Sequence, residues 1–267
     1  AWKPAPKIFL RGGFFQNDFS FLLYNAANRK ENVSVSIEVF ERREIKYRLT
    51  PAQRTALEAR LAGRMVPDEH GESLVCNIYY DTPDYRLIRA SLEKPAYKEK
   101  LRLRSYGVAA PGGEVFLELK KKYRGVVYKR RISLPERDAG AFLSGCAPLA
   151  VRSQIAREIE YFTAYYDPLR PAVYLSYERS AWVSPAGDAL RVTFDRNILF
   201  RQDALSLTAE SRGRALLAGE ESLMEIKTPG AIPLWLTAEL DALSIYQTTF
   251  SKYGEAYKTM LAETLHS

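Results

Sequence analysis

The chain has 267 residues, of which 46% are hydrophobic and 27% charged, a composition typical of a globular protein. Lys and Arg (39) exceed Asp and Glu (32), and this net charge of +7 favours a polyanionic partner such as nucleic acid, a phosphate ester or an anionic lipid. Two cysteines and two histidines exclude a disulfide scaffold, a cysteine zinc site and a histidine-based triad. The low cysteine content indicates a reducing compartment, and no apolar run approaches the ~18 residues of a membrane helix. We therefore expect a cytoplasmic location.

Strand-like alternation begins near residue 37. Residues 1–36 show neither the two-residue period of a strand nor the 3.6-residue period of a helix, and we treat them as an N-terminal extension of unknown role. The remainder, 37–267, is interpreted as one domain, in which eight segments alternate charged and apolar residues as strands do. These segments are 42–49, 76–80, 100–104, 115–120, 128–133, 172–179, 190–195 and 223–227.

Helices are predicted between the strands. Thr50, Pro51 and Gln53 form a capping box with proline in the first turn, so a helix is expected to begin there and end near Gly63. Three further helices are expected over 152–166, 232–243 and 253–265. The resulting fold class is α+β, built on antiparallel strands.

One face of the predicted strands carries mainly positive charge. Eleven cations stand against four acids, Glu44, Glu118, Asp195 and Glu225. The cations are Lys46, Lys100, Arg102, Arg104, Lys120, Lys129, Arg131, Arg179, Arg191, Lys227 and Lys252. Surface strands normally mix both signs, so convergence of this face requires a bound polyanion. A closed barrel brings alternate residues of every strand inside, which predicts an antiparallel eight-stranded tunnel with a polar, basic lumen and helices packed outside.

Such a lumen suits a linear phosphate chain, because Arg binds phosphate oxygens bidentately and Lys supplies mobile charges. Mg²⁺ or Mn²⁺ is usually held by one or two carboxylates together with substrate phosphates. Glu225, with Glu118 or Glu44 near it in space, is the predicted metal site. The alternative for each glutamate is a salt bridge to the lysine two residues further on. No phosphate-binding glycine loop, His-Glu-x-x-His or Cys-x-x-Cys motif is present.

Eight motifs between residues 37 and 260 resemble the polyphosphate-polymerase domain of the vacuolar transporter chaperone (VTC) complex and its bacterial relatives, within the CYTH-like triphosphate tunnel metalloenzymes. They are Arg-Arg-Glu-Ile-Lys-Tyr (42–47), Ile-Tyr-Tyr-Asp-Thr (78–82), Lys-Leu-Arg-Leu-Arg-Ser-Tyr-Gly (100–107), Phe-Leu-Glu-Leu-Lys-Lys-Lys (116–122), Tyr-Glu-Arg-Ser-Ala-Trp (177–182), Leu-Arg-Val-Thr-Phe-Asp (190–195), Met-Glu-Ile-Lys (224–227) and Phe-Ser-Lys-Tyr (250–253). The fold of this family is an eight-stranded tunnel with phosphate inside.

The cationic face and the resemblance together assign roles to particular residues. The residues expected to act on the transferred phosphate are Lys46, Arg102, Arg104, Lys120, Arg179 and Lys252. The residues expected to bind phosphate are Lys100, Lys129, Arg131, Tyr177, Arg191, Lys227 and Ser251. The expected ligands of Mn²⁺ or Mg²⁺ are Glu225, Glu118 and Glu44.

The resemblance implies a phosphoryl transferase that passes the γ-phosphoryl of ATP to a growing polyphosphate chain. Related hydrolases begin with Glu-x-Glu-x-Lys, whereas this chain has Arg42, Glu44 and Lys46 at those positions. Loss of the first glutamate favours transfer to another phosphate over transfer to water. A triphosphatase of the same fold is one alternative, and a non-catalytic module that binds polyphosphate, inositol phosphates or RNA is another. The expected partners are ATP and polyphosphate and not DNA, while a membrane subunit and the oligomeric state stay open.

Two substitutions follow from this interpretation. Arg104→Ala should impair activity far more than Arg60→Ala and should leave stability unchanged or raised, because unliganded cations repel one another. Glu225→Gln should abolish turnover while substrate binding is kept.

Overall fold

The structure, a computed structural model, describes residues 43–124 and 126–264. In chain order the elements are β1 (Arg43–Leu49), α1 (Pro51–Leu61), β2 (Val66–Pro67), β3 (Ser73–Asp81), α2 (Arg86–Leu92), β4 (Tyr97–Tyr106), β5 (Glu114–Tyr123), β6 (Val126–Pro135), α3 (Glu136–Leu143), α4 (Gln154–Tyr165), β7 (Arg170–Val183), β8 (Arg191–Arg201), β9 (Arg214–Ala215), β10 (Ser222–Thr228), α5 (Leu234–Ala242), β11 (Gln247–Thr248) and α6 (Lys252–Thr264). The eight predicted strands are confirmed as the strands of seven or more residues. The predicted domain boundary after residue 36 and the cation Arg42 lie outside the described residues.

The strands form one antiparallel sheet in the order β11-β1-β10-β8-β7-β3-β4-β5-β6, with β2 added to β7 and β9 to β8. The predicted α+β class is confirmed, but the sheet has eleven strands, and among the described residues no pairing joins β6 to β1. The expected closure into an eight-stranded barrel is therefore not seen. A physical reason is that β11 already occupies the outer edge of β1, where Thr248 and Gln247 pair with Lys46 and Tyr47.

The open sheet is nevertheless strongly curved, because strands that are distant in its order touch through side chains. Lys120 on β5 lies 3.1 Å from Glu44 on β1, although five strands separate β5 from β1. Lys46 of β1 donates a hydrogen bond to the carbonyl of Phe250 just before α6. We call the concave space enclosed in this way the lumen; its walls carry the eleven cations and four acids named above.

Two apolar clusters pack on the convex side of the sheet, as the alternation predicted. One cluster joins β1, β8 and β10 to α1 and α5 through Tyr47, Leu57, Leu61, Val192, Phe194, Met224, Ile226, Leu236 and Leu240. A second joins β4, β5 and β6 to α3 and α4 through Leu101, Leu103, Leu117, Leu119, Ile132, Ala139, Ala156, Ile159 and Phe162. Burial of each large apolar side chain contributes about 1.5–3 kcal/mol, so these two clusters stabilise the convex side and leave the opposite face of the same strands to charged groups.

The last helix lies on the concave side. Tyr253 and Met260 of α6 pack with Val75 of β3 and Leu175 of β7, and the rings of Tyr79 and Tyr253 stack at 4.8 Å. The apolar part of the concave face is thus covered by α6. The helix begins at Lys252, and its first residues lie in the lumen.

Candidate functional site

The strand register brings lumen side chains from different motifs side by side. In the β4–β5 pair, Arg102 is opposite Glu118, and Glu118 is also opposite Arg131 of β6. In the β1–β10 pair, Lys46 is opposite Glu225. Directly opposite residues share a face of the sheet, so each acid on these strands stands among cations.

Glu118 is the centre of the first cluster and its side chain is only 1% exposed. One carboxylate oxygen, Oε2, accepts from Nε of Arg102 at 2.7 Å and lies 3.9 Å from Nε of Arg104. The other oxygen, Oε1, lies 2.9 Å from Nζ of Lys129 and accepts from Nε of Arg131 at 2.6 Å. The four predicted phosphate ligands Arg102, Arg104, Lys129 and Arg131 are thus held together by one buried acid.

The electrostatics of this cluster keep Glu118 charged. Burial raises the pKa of its carboxyl, but the charges of Arg102, Arg104, Lys129 and Arg131 outweigh burial and hold that pKa well below its usual range. Both oxygens are engaged by cations, so the structure gives Glu118 the role of a counter-ion.

Asp195 is the centre of a second cluster in which sequence reasoning assigned roles only to the cations. Arg179 donates from Nε and Nη2 to the two carboxylate oxygens of Asp195, at 2.6 and 2.8 Å. Lys252, the first residue of α6, donates to the same carboxylate at 2.5 Å. The ring of Tyr177 lies 4.4 Å from Nζ of Lys252 and 5.1 Å from the Arg179 guanidinium, a cation–π arrangement.

Glu225 lies next to this second cluster. Its Oε1 is 3.0 Å from Nζ of Lys227, which is the predicted salt bridge to the lysine two residues on. Its Oε2 is 3.9 Å from Nζ of Lys46, too far for a hydrogen bond. Burial raises the pKa of the carboxyl, but Lys227, Lys46 and Lys252 outweigh it and keep the group ionised. Glu225 therefore presents an anionic oxygen without a close donor.

A buried hydroxyl lies at the strand position opposite Glu225. Thr193 of β8 is directly opposite Glu225 of β10, and it is 0% exposed. Its Oγ1 has no hydrogen-bond partner in the described part of the chain. Because buried hydroxyls are normally hydrogen-bonded, this atom is a candidate ligand for something that the lumen binds.

The two clusters meet through Lys100, Arg104 and the start of α6. Arg104 donates to Oδ1 of Asn77 at 2.9 Å and to the hydroxyl of Tyr177 at 3.3 Å, so it connects both clusters. Lys100 donates to Oγ of Ser251 at 3.1 Å, and Ser251 caps α6 by accepting from the amide of Gly254 at 3.2 Å. A helix N-terminus that opens among cations is suited to an anion.

Two residues of this region, Lys100 and Tyr79, have pKa values closer to 7 than usual. Burial, with help from Lys46 and other lysines, lowers the pKa of Lys100 to about 8. For Tyr79, burial raises the pKa, but Arg102, Lys100 and Arg104 outweigh it and lower the value to about 8. Burial is the main cause of the shift at Lys100, whereas the nearby positive charges cause the shift at Tyr79 by favouring its ionised form.

Two predicted residues lie at the margins of the clusters. Arg191 pairs with Asp68 at 2.7 Å, outside both clusters, and its side chain is 38% exposed. Lys120 pairs with Glu44, and both side chains are partly exposed. Glu44, Glu118 and Glu225 therefore serve three different sets of cations, and among residues 43–124 and 126–264 no three acids, histidines or cysteines come together as a metal cage.

Sequence reasoning assigned no role to four residues of the site: Asn77, Tyr79, Thr193 and Asp195. Tyr79, Thr193 and Asp195 stand in motifs that carried the resemblance, and Asp195 was counted among the acids of the charged face. Asn77 and Thr193 are uncharged, and only the register shows that they face Arg104 and Glu225.

The chain is thus a curved antiparallel sheet with helices packed on its convex side and buried cations on its concave side. A model of the VTC domain family matches residues 41–261, and the chain belongs to this family. This confirms the resemblance that the motifs carried. Over 158 residues the chain is 28% identical to subunit 4 of the vacuolar transporter chaperone complex from Schizosaccharomyces pombe. That match covers 51% of this chain and 22% of the length of the relative.

Solved structures show the same kind of fold. A Bacillus halodurans protein, provisionally named an adenylate cyclase, has a TM-score of 0.50 and 16% identity, and the match covers 80% of this chain and 94% of that one. A provisionally named adenylyl cyclase from Hippeastrum, described as having a dominant triphosphatase activity, has a TM-score of 0.45 and 18% identity, over 79% and 92% of the two chains. The first of these shows that the sheet-rich α+β fold is shared. None of the helices described is long and apolar enough to span a membrane.

Proposed function

We propose that this chain is a metal-dependent polyphosphate polymerase that transfers the γ-phosphoryl of ATP to the end of a growing polyphosphate chain in the lumen. Membership of the VTC domain family supports a function that involves polyphosphate. The transferase activity itself is inferred from the chemistry of the lumen.

The observation that carries the proposal is the charge of the lumen. Eleven cations stand against four acids, and Glu118 and Asp195 each share a single negative charge among two or more of those cations. Lys100 has only the hydroxyl of Ser251 as a partner among the described residues. A linear polyanion supplies the missing negative charge to lumen cations on several strands at once, whereas a single small anion does not.

The reaction needs no protein nucleophile. Phosphoryl transfer is promoted mainly by positioning and by neutralising the phosphoryl oxygens, and the terminal phosphate of the chain is itself the attacking group. Among the described residues, no cysteine or histidine faces the lumen: Cys76 packs in the convex core, Cys146 lies exposed after α3, and His70 is 74% exposed. The available groups therefore favour this reaction over acyl transfer.

The residues near Glu225 fit a hard divalent cation. Among the described residues, Oε2 of Glu225 has no close donor and the buried Oγ1 of Thr193 has no partner. Phosphate oxygens would supply the other ligands that Mg²⁺ or Mn²⁺ prefers. When bound, the metal would neutralise charge on the phosphate oxygens. Glu118 is a poor candidate for a second ligand, because four cations surround its carboxylate.

The remaining lumen residues form two groups with different positions and different proposed roles. Lys46, Arg179 and Lys252 surround Glu225 and Asp195, where they would hold the phosphate that is transferred. Arg102, Arg104, Lys129 and Arg131 around Glu118 would hold the chain that accepts it. Tyr177 keeps Arg179 and Lys252 in place through its ring.

The product of ATP turnover tests the proposal. With ATP and Mn²⁺, the protein should release ADP and form an anionic polymer that resolves as a ladder on a gel and is degraded by an exopolyphosphatase. Release of ADP with orthophosphate alone would identify a triphosphatase. Tight, salt-dependent binding of polyphosphate without metal-dependent turnover would identify a binding module.

A further inference from the structure

The cationic row of β4 and β5 continues beyond the residues assigned above. Lys98 and Lys122 are directly opposite each other, one step further along than the pair Lys100 and Lys120. The four side chains share one face of the sheet because each is two residues from the next. The row therefore extends past the lumen residues that the sequence motifs indicated.

This extension has no counter-ion among the described residues. Nζ of Lys98 donates only to the carbonyl of Ser91 at the end of α2, at 3.4 Å, and Lys122 forms no ion pair there. On the opposite face of the same strand, by contrast, Lys121 lies 3.7 Å from Glu158 and 4.0 Å from Glu99. At this end of the two strands, acids pair with lysine on the convex face, whereas the described residues give the lumen-face lysines no acid partner.

The neighbouring charges act on one another. Burial lowers the pKa of Lys98, and the charges of Lys122, Lys120 and Lys94 lower it further. A bound anion would relieve this repulsion.

The row leads from the interior to the surface. It starts at Arg104, whose side chain is 7% exposed, and it ends beside Tyr97 and Tyr123, which are 46% and 45% exposed. At ~3.3 Å per residue, the six residues from Arg104 to Lys98 span about 20 Å. A ligand of only three phosphates bound at the clusters would not reach the end of such a row.

We propose that Lys98 and Lys122 form a further binding site for a linear polyphosphate chain, and that this site makes the protein prefer long chains to short ones. The inference rests on the proposed function, because it takes the lumen ligand to be polyphosphate.

The surroundings favour inorganic phosphate over single-stranded RNA. RNA grooves combine cations with aromatic rings on which bases stack. Tyr97 and Tyr123 lie on the other face, where the hydroxyl of Tyr97 donates to Glu99. The lumen face at this end presents lysines, which act as point charges without base recognition.

The test measures binding, so it does not require turnover. The double variant Lys98→Gln/Lys122→Gln is compared with Arg137→Gln/Arg157→Gln, which removes the same charge from exposed positions on α3 and α4 of the convex side. Affinities for tripolyphosphate and for a long-chain inorganic polyphosphate are measured by calorimetry at fixed salt. We expect the lysine double variant to lose about tenfold in affinity for the long chain, with tripolyphosphate binding changed less than twofold. The control should change neither.

Other outcomes overturn the inference. Equal losses for both ligands, or the same loss in the control, would mean that the two lysines act only through overall charge. A wild-type protein that does not prefer the long chain would also refute it. If a single-stranded oligouridylate loses affinity in the lysine variant and polyphosphate does not, the site serves RNA.

The two proposals can fail separately. A wild-type protein that binds long chains through Lys98 and Lys122 but forms no polymer from ATP would keep the site and refute the polymerase. Polymer synthesis whose product length is unchanged in the double variant, together with unchanged binding, would keep the polymerase and refute the site.

Discussion

Glu118→Gln is the substitution whose effect the structure defines most sharply. The change keeps the shape of the side chain but removes the one negative charge shared by Arg102, Arg104, Lys129 and Arg131. Removing one partner of a buried ion pair costs about 3–5 kcal/mol, because the other charge stays buried and uncompensated. For a domain of this size each kcal/mol lowers Tm by roughly 2–4 °C, so we expect a loss of about 6–20 °C.

Polyphosphate should restore much of this loss, because its phosphates replace the missing charge. Thermal unfolding is measured with and without long-chain polyphosphate, and the ligand-induced rise in Tm should be larger for Glu118→Gln than for wild type. The matched control is Glu158→Gln on the convex side, where Glu158 pairs with Arg130 at 3.0 Å and Lys121 at 3.7 Å and is 23% exposed. That variant should lose at most about 1 kcal/mol, and polyphosphate should not rescue it specifically.

The pH dependence gives an independent check. Because the folded pKa of Glu118 is held below its unfolded value of ~4.3, its stabilisation is present above that value and is lost as pH falls through the folded pKa. The difference in Tm between wild type and Glu118→Gln should therefore shrink below about pH 4. A difference that stays constant to lower pH, or a ligand rescue equal to that of wild type, would refute the role of Glu118 as the counter-ion.

Three further predictions concern single lumen residues. Arg104→Ala should reduce polymerase turnover about ten- to a hundred-fold relative to Arg60→Ala on α1. The same variant should unfold at a lower temperature than wild type, contrary to the expectation from repulsion alone, because Asn77 loses a buried donor. Polyphosphate affinity should weaken as pH rises through about 8, the pKa at which Lys100 loses its proton, and Lys100→Arg should flatten this pH dependence in a calorimetric titration. A pH profile that the substitution leaves unchanged would show that Lys100 is not the group responsible. Glu225→Gln should abolish Mn²⁺-dependent turnover while polyphosphate binding is kept or tightened, and metal dependence like that of wild type would remove Glu225 from the metal site.

Alternation of charged and apolar residues was sufficient to predict the long strands and the direction in which they face. The pattern on 100–104 and 115–120 determines the strand register and the face that each side chain occupies. A slip by one residue would put Leu101 and Leu117 in the lumen and the cations in the core, at a large cost in free energy. The two leucines are therefore buried on the convex side.

Two other features depend on contacts that the alternation does not show. Helix α2 begins after Tyr85 without a side-chain cap of its own, and Asp81 at the end of β3 accepts hydrogen bonds from the amides of Leu87 and Ile88 at 2.8 and 3.0 Å. No local capping motif marks such a start. The position of α6 could not be predicted either, because the ring of Tyr253 in α6 stacks on that of Tyr79, and these two residues are far apart in the sequence.

The register of the strands could be predicted from the alternation, but the grouping of the lumen residues could not. Sequence reasoning assigned Glu225, Glu118 and Glu44 to one metal site and gave Asp195 no role, since spacing does not show which cations surround each acid. In the structure Asp195 binds Arg179 through two hydrogen bonds, whereas Glu44 pairs with Lys120 near the surface.

The separate positions of the acids reduce the repulsion between cations in the basic interior. Glu118 and Asp195 are almost fully buried, and each neutralises the cations that are least exposed to water, where repulsion is strongest. Glu225 is less tightly engaged, because one of its oxygens has no donor within hydrogen-bonding distance among the described residues. Lys98, Lys100 and Lys122 have no acid partner in the part of the chain that the structure describes. Acids therefore compensate the cations of the two clusters, and the row from Lys100 to Lys98 and Lys122 carries the charge that the proposed polyanion would neutralise.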